Sequence, residues 1–195
     1  KRRVSDYPRV QDYLERVCTE RYHVPIPENV VSHLLAADLW STMHLDKGVE
    51  AAYMPMLDGI FTADKDYQST KWGESVLAHE LTHAIQRRKG WLLTPKELGI
   101  TSVEFEKIAE GLQKGKTLDE IAHDLNRSKS ELLRAKGFID DRIEYATKYY
   151  ESPTEVDAWG EQFQFLKDQG VAPERIETAL FEYIANQGGR VGSSD

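Results

Sequence analysis

Two histidines four residues apart, His79 and His83, stand in the run Val76-Leu77-Ala78-His79-Glu80-Leu81-Thr82-His83-Ala84-Ile85-Gln86, which contains the pattern HExxH. On a helix, side chains four apart stack on one face, so both imidazoles can converge on one metal ion while Glu80 projects beside it. Such a pair is half of a zinc hydrolase site. There a zinc ion acidifies a water and polarises a carbonyl, and the glutamate moves the proton. A chain of this length carries HExxH by chance in roughly one case in 200. The surroundings favour a helix from about residue 73 to 89: Val76, Leu77, Leu81, Ala84 and Ile85 form an apolar stripe. Arg87, Arg88 and Lys89 then suit the negative end of the helix dipole, and Gly90 suits its exit.

A catalytic zinc has three protein ligands and an open position. Residues 84 to 122 contain no histidine, so the third ligand is sought among later carboxylates. The best placed is Glu155 in Ser152-Pro153-Thr154-Glu155-Val156-Asp157-Ala158-Trp159. Ser152 is a helix cap, Pro153 a first helical residue, and Glu155 sits on the first turn. Ala158, one turn later, lets a second helix come close. Ser152-x-x-Glu155 is also a capping box, which explains a glutamate there without any metal. Asp157, Glu151 and His123 compete for the role. His123 is the weakest, because it falls on the polar side of a short amphipathic helix.

Several elements must position these residues. An amphipathic helix is predicted from about Arg9 to Tyr22, then an extended segment Val24-Pro25-Ile26-Pro27, then a second helix from Pro27 to about Trp40. Asp58-Gly59 lies between the apolar runs 51–57 and 60–63 and signals a β-hairpin. Pro55 in its first arm argues for an edge strand or a bulge. An open edge beside a metal can take an extended peptide by strand addition. Beyond Gly90 the chain reads as helical. Thr94 with Glu97, Thr101 with Glu104, Thr117 with Glu120 and Ser128 with Glu131 all match the capping box. Two further helices are predicted near 153–168 and 173–187. The fold class expected is α+β: one mostly helical domain over 1–195, a small hairpin or sheet before the HExxH helix, and a helical insert over 94–148.

The whole chain has 195 residues, a formal charge of -8, 40% hydrophobic and 30% charged residues. That is ordinary for a water-soluble domain, and an acidic balance argues against nucleic acid as the main partner. The single cysteine, Cys18, lies with Val10, Tyr13, Leu14 and Val17 on one helical face and reads as a buried thiol. No apolar run approaches membrane-spanning length, and the first residues lack the apolar segment of a signal peptide. A cytoplasmic or virion-associated location is expected. With no initiator Met, the sequence reads as trimmed, processed or a fragment, and targeting segments could lie outside it.

Leu77-Ala78-His79-Glu80-Leu81-Thr82-His83-Ala84, preceded by a glycine-containing hairpin and followed by Pro-x-Glu-x-x-Ala at Pro153, Glu155 and Ala158, resembles the small gluzincin-type metallopeptidases. The likeness is greatest to those of phages, prophages and bacteria. More distantly it extends to the family that cleaves phage repressors and radiation-response regulators. It covers about residues 49–90 and 149–166. It implies a zincin-like fold, Zn2+ held by His79, His83 and Glu155, Glu80 as catalytic base, and a protein or peptide substrate. The long insert between His83 and Glu155 departs from the family. A tetrahedral oxyanion also needs a donor, for which Tyr149 and Tyr150 are candidates, although packing in the core is the better explanation of both.

Two other classes compete with the enzyme. One is a structural, virion or complex component on a peptidase-like fold with little or no activity, docking a partner through the helical insert. The other is a DNA-binding regulator: residues 117–136 resemble a helix-turn-helix, with Arg127, Lys129, Arg134 and Lys136 on a basic second helix. Asp119, Glu120, Asp124 and Glu131 stand against that reading.

Overall fold

A computed structural model describes residues 2–34, 51–62, 70–145 and 151–188. The fold is α+β and mostly helical. Its strands are β1 (Arg2–Arg3), β2 (Val31–Leu34), β3 (Ala51–Met54) and β4 (Gly59–Thr62). Its α-helices are α1 (Pro8–Val17), α2 (Lys71–Arg88), α3 (Ser102–Gln113), α4 (Leu118–Leu125), α5 (Lys129–Glu144), α6 (Pro153–Asp168) and α7 (Pro173–Gly188). Two compact units divide the chain. One comprises Lys1–Lys89 and Asp157–Asp195, the other Gly90–Val156. The boundary falls inside α6, whose first turn carries Glu155.

In the first unit the strand order is β1-β2-β4-β3, with β2 parallel to β4 and the other two pairings antiparallel. The helix expected from Pro27 to Trp40 is not formed: residues 28–29 turn, and Val31–Leu34 is a strand paired on both sides. Short apolar runs carry no decisive period, and the β-branched Val30 and Val31 favour extended backbone once neighbouring strands are there to pair. Residues 35–40 of that expectation lie outside the described residues. The hairpin forms, with a shorter first arm than expected. β3 ends at Met54, since Pro55 cannot donate to a ladder, and Pro55–Asp58 make the turn. Asp58 sits at φ 45°, a left-handed conformation that Asp tolerates better than most residues. Hydrogen bonds from Tyr53 Oη (2.5 Å) and Arg88 Nη2 (2.9 Å) hold it there. Burial opposes its ionisation, yet these bonds bring its carboxyl below the usual range.

α1 buries Val10, Tyr13, Leu14 and Val17. Its predicted continuation to Tyr22 is a π-helical turn, Cys18–Tyr22, which widens the helix and re-aims Arg21 and Tyr22. Cys18 is buried, which pushes its thiol up to about 11. The core of this unit gathers Val10, Leu14, Tyr22, Ile60, Leu77, Ile85 and Phe165, with Tyr13 and Phe165 edge to face at 5.6 Å.

The second unit is built on local signals. Thr101, Thr117 and Ser128 each cap a helix with the reciprocal box expected of them, at α3, α4 and α5. Thr94 with Glu97 makes only a turn: Glu97 N donates to Thr94 Oγ1 at 3.3 Å, and Gly99 at φ 76° ends it. Ile108, Leu118, Ile121, Leu132, Ala135 and Ile139 form the core. Arg127 grips Glu104 through two bonds of 2.8 and 2.9 Å and holds its carboxyl at about 2. α4, a left-handed Asn126 (φ 53°) and α5 give the predicted helix-turn-helix outline. Of its cations, Arg127 pairs with Glu104, Lys129 with Asp119 and Lys136 with Asp140, each within the unit.

Candidate metal centre

Every residue of α2 from Gly73 to Gln86 is buried, including Glu74, Ser75, His79, Glu80, Thr82, His83 and Gln86. Buried polar groups require partners. The expected apolar stripe is therefore one face of a helix that is covered on all sides. Thr70 caps it, accepting from Gly73 N at 2.9 Å. Glu74 takes a two-pronged bond from Arg9, 2.9 Å on each oxygen. Thr82 Oγ1 donates to the Ala78 carbonyl at 2.8 Å, and Ser75 accepts from Gln162 of α6 at 3.1 Å.

At the middle of this helix, His79 and His83 meet Glu155. One ligand atom of each lies within 4.8 Å of the others, and the three residues are 5%, 9% and 4% exposed. Two neutral-capable imidazoles and one carboxylate are a zinc donor set. Around a tetrahedral zinc such atoms would stand roughly 3.4 Å apart, inside the 4.8 Å bound that these three meet. Glu80 is buried beside His79 in sequence and accepts from Tyr53 N at 2.7 Å. Tyr53 belongs to β3, an edge strand among the described residues, and its N–H orients the Glu80 carboxylate. The Tyr53 side chain is held in turn by Asp58, and burial pushes its hydroxyl up to about 12.

The competing ligands are placed elsewhere. Asp157 accepts from Arg21, Tyr22 and Gln86. Glu151 and His123 are exposed. Tyr149 and Tyr150 lie outside the described residues. Three further participants are not singled out by any motif. Trp159 lays its ring edge to face against His79 at 4.9 Å. Gln86 reaches His83 Nδ1 at 2.7 Å. Tyr53 acts through its backbone, which no side-chain pattern reveals. Gln86 alone was within reach of sequence reasoning: it lies three residues after His83, hence on the same helical face.

Among the described residues no helix is long and apolar enough to cross a membrane. Residues 47–91 match the model of the eCIS core domain, the core of extracellular contractile injection systems, and no metallopeptidase family is matched. That span takes in β3, β4 and α2, and with them His79, Glu80 and His83. No curated protein and no solved structure matches the chain. The similarity is thus to a phage-tail-like complex component, over the segment that supplies two of the three clustered donors.

Proposed function

We propose that the chain is a zinc-dependent hydrolase of peptide bonds that serves within, or alongside, a phage-tail-like assembly. The carrying observation is the buried convergence of His79, His83 and Glu155 next to a glutamate oriented by a strand edge. A zinc bound there would supply a Lewis acid that activates water and polarises a carbonyl. The chain's own residues do the rest. His79, His83 and Glu155 hold the ion. Glu80 accepts a proton from the attacking water and returns it to the leaving amine, positioned by Tyr53 N–H. The outward edge of β3 offers backbone groups along which an extended peptide aligns. A purely stabilising ion needs no carboxylate beside it that is not a ligand, and Glu80, held by Tyr53 N–H next to His79, favours catalysis.

The eCIS core match supports a second reading more directly: a component of the assembly in which the same site binds zinc for stability alone. Metal analysis with peptide-library digestion separates the two. In the hydrolase, Glu80→Gln retains zinc and loses cleavage, while His79→Ala loses both. Wild-type protein that holds zinc and cleaves no peptide is the structural component. Wild-type protein that binds no zinc removes both roles for the ion. Against the DNA-binding reading, three of its four cations are already engaged: Arg127 in the turn before α5, and Lys129 and Lys136 within that helix.

A further inference from the structure

His83 is tied to a chain of polar contacts whose direction is set at its far end. Gln86 Oε1 lies 2.7 Å from His83 Nδ1, and Gln86 Nε2 donates to Asp157 Oδ2 at 2.9 Å. Tyr22 Oη donates to the same Asp157 oxygen at 2.8 Å, and Arg21 Nη2 to its other oxygen at 2.6 Å. Arg21 also bonds Glu161, which accepts from Tyr13 Oη at 2.5 Å. Gln86 is completely buried, Tyr22 and Glu161 nearly so.

An ionised carboxylate only accepts, so Asp157 must face the amide NH2 of Gln86 and not its oxygen. The oxygen is then turned to His83, and it too can only accept. His83 Nδ1 must therefore carry the proton, which leaves Nε2 as the lone pair for a metal. A single anion, clamped by the two residues that the π-helical turn re-aims, thus fixes an imidazole tautomer two hydrogen bonds away. A direct carboxylate partner would do this in one step. Here a neutral amide transmits it.

We propose that Gln86 and Asp157 are positioning residues which, anchored by Arg21 and Tyr22, hold His83 as its Nδ1–H tautomer and so set the affinity of the site for zinc. The proposal rests on reading His79, His83 and Glu155 as a metal site. Its test has one arm that needs no metal.

In the metal-free full chain at about pH 8, where imidazole is neutral, two-bond ¹⁵N–¹H correlation reads the tautomer of His83. The wild type shows Nδ1–H, and Gln86→Leu shows a mixture or the other tautomer. Zinc affinity, by competition with a chromophoric chelator, falls about 10–100-fold in Gln86→Leu. Gln86→Glu alone sets two carboxylates against each other and weakens zinc. Combined with Asp157→Asn in the same chain, it restores an acceptor for His83 and a donor behind it, and affinity returns. Tyr22→Phe, a milder change, loses a few-fold. An Nε2–H tautomer in the wild type, or a folded Gln86→Leu with unchanged tautomer and unchanged zinc affinity, overturns the proposal. Failure of rescue by the double variant overturns the assigned polarity. An Nδ1–H wild type whose tautomer is lost in Gln86→Leu, with no zinc taken up by either, upholds the relay and removes the metal reading.

Discussion

α2 and the helices α3 to α5 satisfy their polar groups in opposite ways. α2 draws its partners from distant parts of the chain: Arg9 for Glu74, Tyr53 for Glu80, Asp157 for Gln86 and Gln162 for Ser75. In α3 to α5 the hydroxyl and carboxylate of each cap are three residues apart, and the longer bonds, Arg127 to Glu104, Lys129 to Asp119 and Lys116 to Asp124, stay within the same unit. Local pairing gives a unit that assembles from its own sequence and presents ordinary surfaces. Distant pairing is what a site needs, because ligands, a base and their supports must arrive from elements that are not neighbours in sequence. The cost of that second arrangement is sensitivity: losing one partner leaves a buried polar group behind.

The difference can be broken experimentally in four places. Under the proposed zinc reading, zinc at a hundredfold excess over its dissociation constant is expected to stabilise the wild type by about 2.7 kcal/mol. Hydrogen exchange registers this in α2 and not in α3 to α5, and Glu155→Ala abolishes it; equal protection of both units by zinc would erase the contrast. Arg9→Met strands Glu74 in its buried position and costs about 2 kcal/mol by chemical denaturation. Thr117→Ala removes a local cap from α4, costs about 1 kcal/mol and leaves zinc binding unchanged. The smallest effect concerns Glu104, whose carboxyl is held at about 2, foremost by Arg127 and then by the Thr101 backbone, against an ordinary 4.5. Its folded value is depressed, so its contribution is complete above about pH 4.5 and drains away as the pH falls toward 2. Circular dichroism should show helix loss in that window for the wild type, and a Glu104→Gln chain that has already forfeited the contribution and changes less there.

Legibility in the sequence followed the same division. His79 and His83 fall on one face by helical geometry alone, and the caps at Thr101, Thr117 and Ser128 depend on residues three apart, so a linear reading reaches them. Glu155 was pointed to by Pro153 and the small Ala158, but Ser152 and Glu155 also spell a cap; its approach to both histidines is what the linear sequence could not supply. β2 was not legible because a strand of four residues, Val31-Ser32-His33-Leu34, is too short to show a period of its own; its partners β1 and β4 decide it. The π-helical turn, the edge-strand N–H of Tyr53 and the amide of Gln86 take their meaning from contacts across the fold. The eCIS core match ends at residue 91, so neither α6 nor its glutamate falls within that likeness.

The burial of α2 on every side has a consequence for how this chain tolerates change. A surface helix accepts substitutions in waves of three and four residues, since its outward positions are free. From Gly73 to Gln86 no position faces water, so a saturation scan of this segment should yield an unbroken block of intolerance instead of a wave. Randomised libraries that spare only the two histidines and the glutamate would then return almost no folded clones, and any redesign of this centre has to begin from Arg9, Tyr53, Asp157 and Gln162 as well as from the helix itself.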